Sequence, residues 1–248
     1  MKKNIVFIFL ISIHLQAWDF SSSALFLCYG DPTSIRAFQY SMEDVRKDFA
    51  YLAKNNYKPV SFEEWLKFKK GNNQLPSRNI LVIFPFPSSS QLDGYLRLLN
   101  EFKFKAIFFV VPEKQIAGQD ISISILRKII KAGHEIGLTS SNYSRYLEIA
   151  ANEGSEKKDE LFKKELKESI DFFNKNAIYF IPVYLYPYGE TDGSILGILQ
   201  NSDIDSAILP GKSLNVWGTN RFYHKYLIRT SGTDFSKTLS EMEKEIEE

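Results

Sequence analysis

Short runs that are apolar at every position, rather than at alternate ones, set the strongest limit on how this chain can fold. "SALFLCYG" (23–30), "NILVIFPF" (79–86), "FKAIFFVVP" (104–112) and "AIYFIPVYLYPYG" (177–189) are of this kind. A strand apolar on both faces must be covered on both, which is the condition of a parallel sheet flanked by helices.

The intervening segments carry the helical period. "SMEDVRKDFAYLAKNN" places Met42, Val45, Phe49 and Leu52 on one face behind Ser41 as N-cap, and "SFEEWLKFKKG" has Ser61 and Glu64 at capping-box spacing with Gly71 to stop it. "SSSQLDGYLRLLNEF" spaces Leu92, Leu96, Leu99 and Phe102 for one face, and "ISILRKIIKAG" ends at Gly133. The charged segment "SEKKDELFKKELKESIDFFNKN" turns Leu161, Ile170 and Phe173 inward, and the final "DFSKTLSEMEKEIEE" does so with Phe235, Leu239, Met242 and Ile246.

"HEIGLTS", "IDSAILP" and "KYLIRT" add extended segments. Seven or eight strands alternating with helices, in a chain of 248 residues, predict an α/β class fold, a distorted (β/α) barrel of about seven strands. The competing architecture is a doubly wound open sheet, but no Gly-rich phosphate loop follows any strand.

Lys2 and Lys3, the apolar stretch Ile5 to Ile13 and the small residue Ala17 read as a signal peptide over residues 1–17, leaving a single domain over 18–248. Export follows, to the periplasm or beyond, with no transmembrane segment in the mature chain. The one cysteine, Cys28, has no partner within the chain, so stability rests on the core. With 31 basic against 30 acidic residues the chain has no bulk attraction for nucleic acid, and none is expected as a partner.

In a barrel the chemistry sits at the C-terminal ends of the strands. Those ends are "CYGDP", "FPFPSSS", "VPEKQ", "GLTSSNY", "YPYGE", "LPGKS" and "RTSG", rich in aromatic and hydroxyl groups and poor in metal ligands.

"GHEIG" after a helix, "FKAIFFVVP", and "YLYPYGE" before another helix occur in the order seen in polysaccharide deacetylases. From "LFLCYG" through "DFAYLAKNNYKPVSFEEW" to "KYLIRT" the chain resembles the NodB-homology domain, carbohydrate esterase family four, and is most similar to exported members acting on poly-N-acetylglucosamine. The resemblance implies removal of acetyl groups from N-acetylated sugars, with a divalent metal such as zinc held by one Asp and two His, and a second Asp as general base.

At each of those positions the chain departs from the family. Pro85 stands at the general base and Phe86 at the metal-binding Asp, while Thr139 and Tyr143 stand at the two histidines. The Tyr-His of many relatives is Tyr29 followed by Gly30. No catalytic residue, metal ligand or cofactor is therefore expected. Aromatic platforms with a few polar groups suit sugars, so Tyr29, Tyr143, Tyr186, Tyr188, Glu190, Trp217 and Arg229 are the expected substrate-binding residues.

This reading is of an exported deacetylase-like protein that binds a polysaccharide or a cell-envelope protein without metal-dependent hydrolysis. The alternative is an active N-deacetylase with a rearranged site, which requires two or more of Asp31, Asp93, His134, Glu135 and His224 to converge. A third possibility is a structural partner of an exopolysaccharide machine, marked by an exposed apolar patch.

Overall fold

The structure, a computed structural model, describes residues 23–33, 40–71, 74–76, 78–86, 89–111, 122–211, 215–216, 219–229 and 234–247. The expected signal segment and Trp217 lie outside the described residues. In chain order the elements are β1 (Ser23–Cys28), α1 (Met42–Lys54), β2 (Lys58–Pro59), α2 (Phe62–Lys69), β3 (Asn79–Pro85), α3 (Ser89–Phe102), β4 (Ala106–Phe109) and α4 (Ile123–Lys131). These are followed by β5 (Glu135–Gly137), α5 (Tyr146–Glu153), α6 (Ser155–Lys175), β6 (Val183–Leu185), α7 (Gly193–Gln200), β7 (Ser206–Pro210), β8 (Asn215–Val216), β9 (His224–Ile228) and α8 (Phe235–Glu247).

Seven strands run parallel in the order β5-β4-β3-β1-β9-β7-β6, with β2 added to β3 and β8 to β1. The two ends of this sheet meet through a parallel bridge between Leu138 and Tyr184, so the sheet is a nearly closed barrel. Leu138 N–H donates to Val183 O at 2.9 Å and Leu185 N–H to Leu138 O at 2.8 Å along that seam.

Strand side chains alternate with period two, and the alternation separates two cores. Phe26, Ile83, Phe109, Leu185, Ile208 and Tyr226 belong to one buried cluster, with Trp65 of α2 at one end and Phe86 and Tyr143 at the other. Their neighbours Leu27, Phe84, Phe108, Tyr184, Tyr186 and Leu227 belong to a second cluster, packed against the helices. The first is the lumen and the second the helix layer. Gly137 is needed in the lumen because a Cβ there would lie 2.4 Å from the Phe109 ring.

The expected caps of the first two helices are present, including the reciprocal Ser61–Glu64 capping box. The inward faces differ in detail. On α6 the buried positions are Lys158, Phe162, Glu165, Leu166, Ser169 and Phe173, whereas Leu161 and Ile170 sit half-buried at its edge. Helix α5, which precedes it, has no counterpart among the helices expected from the sequence. Phe235 and Leu239 of α8 are buried as expected, while the side chains of Met242 and Ile246 lie outside the described residues.

Helix α2 covers the N-terminal mouth of the barrel. Trp65 meets Phe26 edge-on at 5.4 Å, and its Nε1–H donates to His224 Nε2 at 3.3 Å. The Glu135 carboxylate receives the Phe62 and Glu63 backbone N–H groups at 2.6 and 2.9 Å, capping α2 from the start of β5.

Burial lowers the His224 pKa to about 3 and the His134 pKa to about 4, with Lys69 and Lys105 adding to the respective shifts. The unfolded chain takes up protons near pH 6.5, where the folded chain keeps both imidazoles neutral. The stability they contribute is therefore complete above pH 6.5 and is lost as pH falls toward these values, by roughly 2–4 kcal/mol for each histidine. Burial raises the Glu135 pKa to about 7, which gives a slope of the opposite sign, so a variant is needed to isolate the histidine. Urea midpoints of His224→Gln should change less between pH 7 and pH 4 than those of the unsubstituted chain. Parallel curves would remove His224 from the account.

Candidate functional site

Because the barrel strands are parallel, their C-terminal ends gather at the mouth opposite α2. There β3 delivers Pro85 and Phe86, the segment after β5 delivers Thr139 and Tyr143, and the turn after β6 delivers Tyr188 and Glu190. Pro85 closes a central strand, at an end position where a missing N–H is tolerated. Phe86 N–H then donates to Phe109 O at 2.9 Å.

Phe86 and Tyr143 meet edge to face with ring centroids 4.7 Å apart, and Tyr143 meets Tyr188 at 5.1 Å. The Arg145 guanidinium lies 3.8 Å from the centroid of the Tyr188 ring and pairs with Glu190 at 3.4 Å. A ladder of three aromatic rings thus runs from the lumen to a surface cation. All three ring-bearing residues have positive φ, at 49° for Phe86, 55° for Tyr143 and 56° for Tyr188. That region is sterically poor for bulky side chains, and among residues other than glycine it favours Asn, Asp and His.

The surroundings hold this ladder in place. Tyr143 Oη–H donates to Pro32 O at 2.9 Å, and burial pushes its phenol pKa well up. Thr139 Oγ1–H donates to Leu185 O at 2.9 Å, so its hydroxyl stitches the β5–β6 seam. Buried Glu165 of α6 accepts from Tyr146 and Ser144, fixing the segment that follows Tyr143. Gly189 has φ 71°, and a Cβ there would lie 2.7 Å from Pro210, which ties the turn to β7.

Three of the expected substrate-binding residues point elsewhere. Tyr29 and Tyr186 are fully buried in the helix layer, with hydroxyls bound to Asp48 and to Phe222 O, and neither presents a ring face at the mouth. Arg229 is also buried, in a two-point pair with Asp48 at 2.7 and 3.1 Å. Period-two alternation is the reason, since each lies on the outward phase of its strand. Tyr143 is 2% exposed and enclosed between Phe86 and Tyr188. Tyr188 and Glu190 remain partly exposed at the mouth. Arg145, absent from the sequence expectations, joins them.

The ionisable groups of the rearranged-site alternative are dispersed. Asp31 follows β1 at the mouth, Asp93 pairs with Lys128 on the outside, and Glu135 and His224 begin their strands at the α2 end. His134 is buried in the helix layer beside Phe108. Among the described residues no group of three or more His, Cys, Asp or Glu could hold a metal ion.

The model of the polysaccharide deacetylase family matches residues 74–207, more than half of the chain. The chain belongs to the polysaccharide deacetylase family. No curated protein matches it. Among solved structures it is similar to the deacetylase domain of BpsB from Bordetella bronchiseptica, with TM-score 0.71 and 16% identity over 85% of this chain and 97% of that one. IcaB from Ammonifex degensii gives TM-score 0.72 and 17% identity over 85% and 93%. The Streptococcus pyogenes deacetylase PplD, solved in complex with acetate, gives 0.73 and 13% over 89% and 98%. These likenesses carry the deacetylase barrel fold.

The family's divalent metal does not fit the described residues at the positions that resemblance assigns to it. At the four positions that resemblance assigns to base and ligands stand a Pro, two buried rings in mutual contact and a hydroxyl committed to a backbone carbonyl. No step can be derived through a metal at that place. The mouth instead offers a half-buried aromatic ring, a guanidinium and a carboxylate, which is equipment for holding a polar ligand. Among the described residues no helix is long and apolar enough to cross a membrane.

Proposed function

We propose that this chain is an exported member of the polysaccharide deacetylase family that binds an N-acetylated glycan, or an envelope partner bearing one, without metal-dependent deacetylation. Cleavage near Ala17 leaves residues 18–248 as the mature domain. The observation that carries this reading is the contact between Phe86 and Tyr143, whose rings fill the place that resemblance assigns to metal ligands. Tyr188, Arg145 and Glu190 form the glycan contact, with the Tyr188 hydroxyl and the two charged groups against the sugar hydroxyls.

Metal content of the purified mature protein, measured together with acetate release from N-acetylglucosamine oligomers in added Zn²⁺, Co²⁺ or Ni²⁺, tests this reading. Metal well below one equivalent, no acetate, and oligomer binding lost in Tyr188→Ala are expected. Stoichiometric metal with metal-dependent acetate release would refute it.

A further inference from the structure

On the outer wall of the barrel, a groove of about 470 Å³ separates α3 from α4. Buried Leu96 and exposed Ala132 line it together with Arg97, Lys128 and Lys131, and Asp93 is the one carboxylate among its described lining residues. Asp93 pairs with Lys128, whereas Arg97 and Lys131 have no ion pair among the described residues. Lys105 adds a further cation beside the groove, its Nζ donating to Gly133 O at 3.1 Å.

The whole chain has a formal charge of only +1, so this concentration of cations is a local feature. The dipole of α4 accounts for Lys128 and Lys131 in its last turn. It does not account for Arg97, which faces them from the middle of α3. A cleft with one sign of charge and low-dielectric walls concentrates the opposite sign.

We infer that this groove is a docking site for an anionic polysaccharide, one bearing carboxylate groups along its chain. Charge complementarity selects an anion, and a groove between two surface helices, lined from both, can seat a segment of a polymer. The choice of a polysaccharide rests on the family to which the chain belongs. A membrane surface is disfavoured because the large exposed apolar side chains among the described residues are Leu147 and Tyr179, neither of which lines the groove. The site is separate from the barrel mouth and does not depend on whether the mouth retains chemistry.

Affinity electrophoresis of the full mature chain through gels containing polygalacturonate tests the inference, with phosphatidylglycerol vesicles in a parallel flotation assay. Retardation by polygalacturonate is expected, weakening as salt rises. It should fall roughly tenfold in affinity in Arg97→Glu/Lys131→Glu, because these charges are exposed to the polymer. The same charge change on α6, Lys163→Glu/Lys167→Glu, should leave retardation nearly unchanged. Equal losses in both variants would reduce the effect to net charge and overturn the site. So would an unretarded parent protein, or binding to vesicles without binding to polygalacturonate. Neutral N-acetylglucosamine oligomers, run separately, report on the mouth alone, so failure there is distinguishable from failure of the groove.

Discussion

Asp48→Ala should lower the unfolding free energy by about 3–5 kcal/mol, as expected when one partner of a buried ion pair is removed. Asp48 is 4% exposed and Arg229 7%, and the guanidinium reaches both carboxylate oxygens, an arrangement specific to arginine. The Tyr29 hydroxyl donates to the same carboxylate at 3.2 Å, so truncation removes a buried acceptor that both the guanidinium and the phenol reach. Replacing the pair together, as Asp48→Leu/Arg229→Met, removes the charges from the interior and should recover most of the loss. Urea denaturation of the single and double variants measures both effects. A single-variant loss below about 1 kcal/mol, as for a surface pair, would show that this pair does not hold α1 to β9.

Phe86→Asp/Thr139→His/Tyr143→His should create a divalent-ion site at the barrel mouth, where no metal-holding group is found among the described residues. The left-handed backbone at positions 86 and 143 is strained for Phe and Tyr and is more readily adopted by Asp and His. The substitution therefore relieves backbone strain while giving up the ring contact. In Zn²⁺ at about 100 times its dissociation constant, the folded state of the triple variant should gain about 2.7 kcal/mol, seen as a rise in melting temperature. The parent protein should show no rise. Failure of a folded triple variant to bind Zn²⁺ would mean that the backbone at the mouth has drifted as well as the side chains. Adding Pro85→Asp then tests whether acetate release follows.

Much of the architecture is legible in the sequence alone. Continuous apolar runs required strands covered on both faces, and Ser41, Ser61 and Glu64 marked helix starts that the structure contains. The family motifs were legible for a physical reason too, since Gly137 and Gly189 occupy places where a Cβ would collide with Phe109 and Pro210. The absence of carboxylate and imidazole at Pro85, Phe86, Thr139 and Tyr143 is likewise a property of the chain itself.

The site was less legible because strand phase decides it. Tyr29, Tyr186 and Arg229 sit near strand ends, as sugar-binding residues would, but a continuously apolar strand carries no alternation from which to read its inward face. Their assignment to the helix layer follows only from closure of the barrel. Asp48 did leave a trace, as a carboxylate at i+3 from Val45 within an inward stripe, but its partner lies 181 residues away. Arg145 left none.

Local covalent facts determined what this chain lacks and which elements it builds, because helix caps, apolar periods and missing ligands are settled within a few residues. Tertiary structure alone decided which aromatics meet at the mouth, which cations are buried and which cations face one another across α3 and α4. Those outcomes depend on contacts between residues far apart in sequence, formed once the strands have taken their register and the sheet has closed on itself.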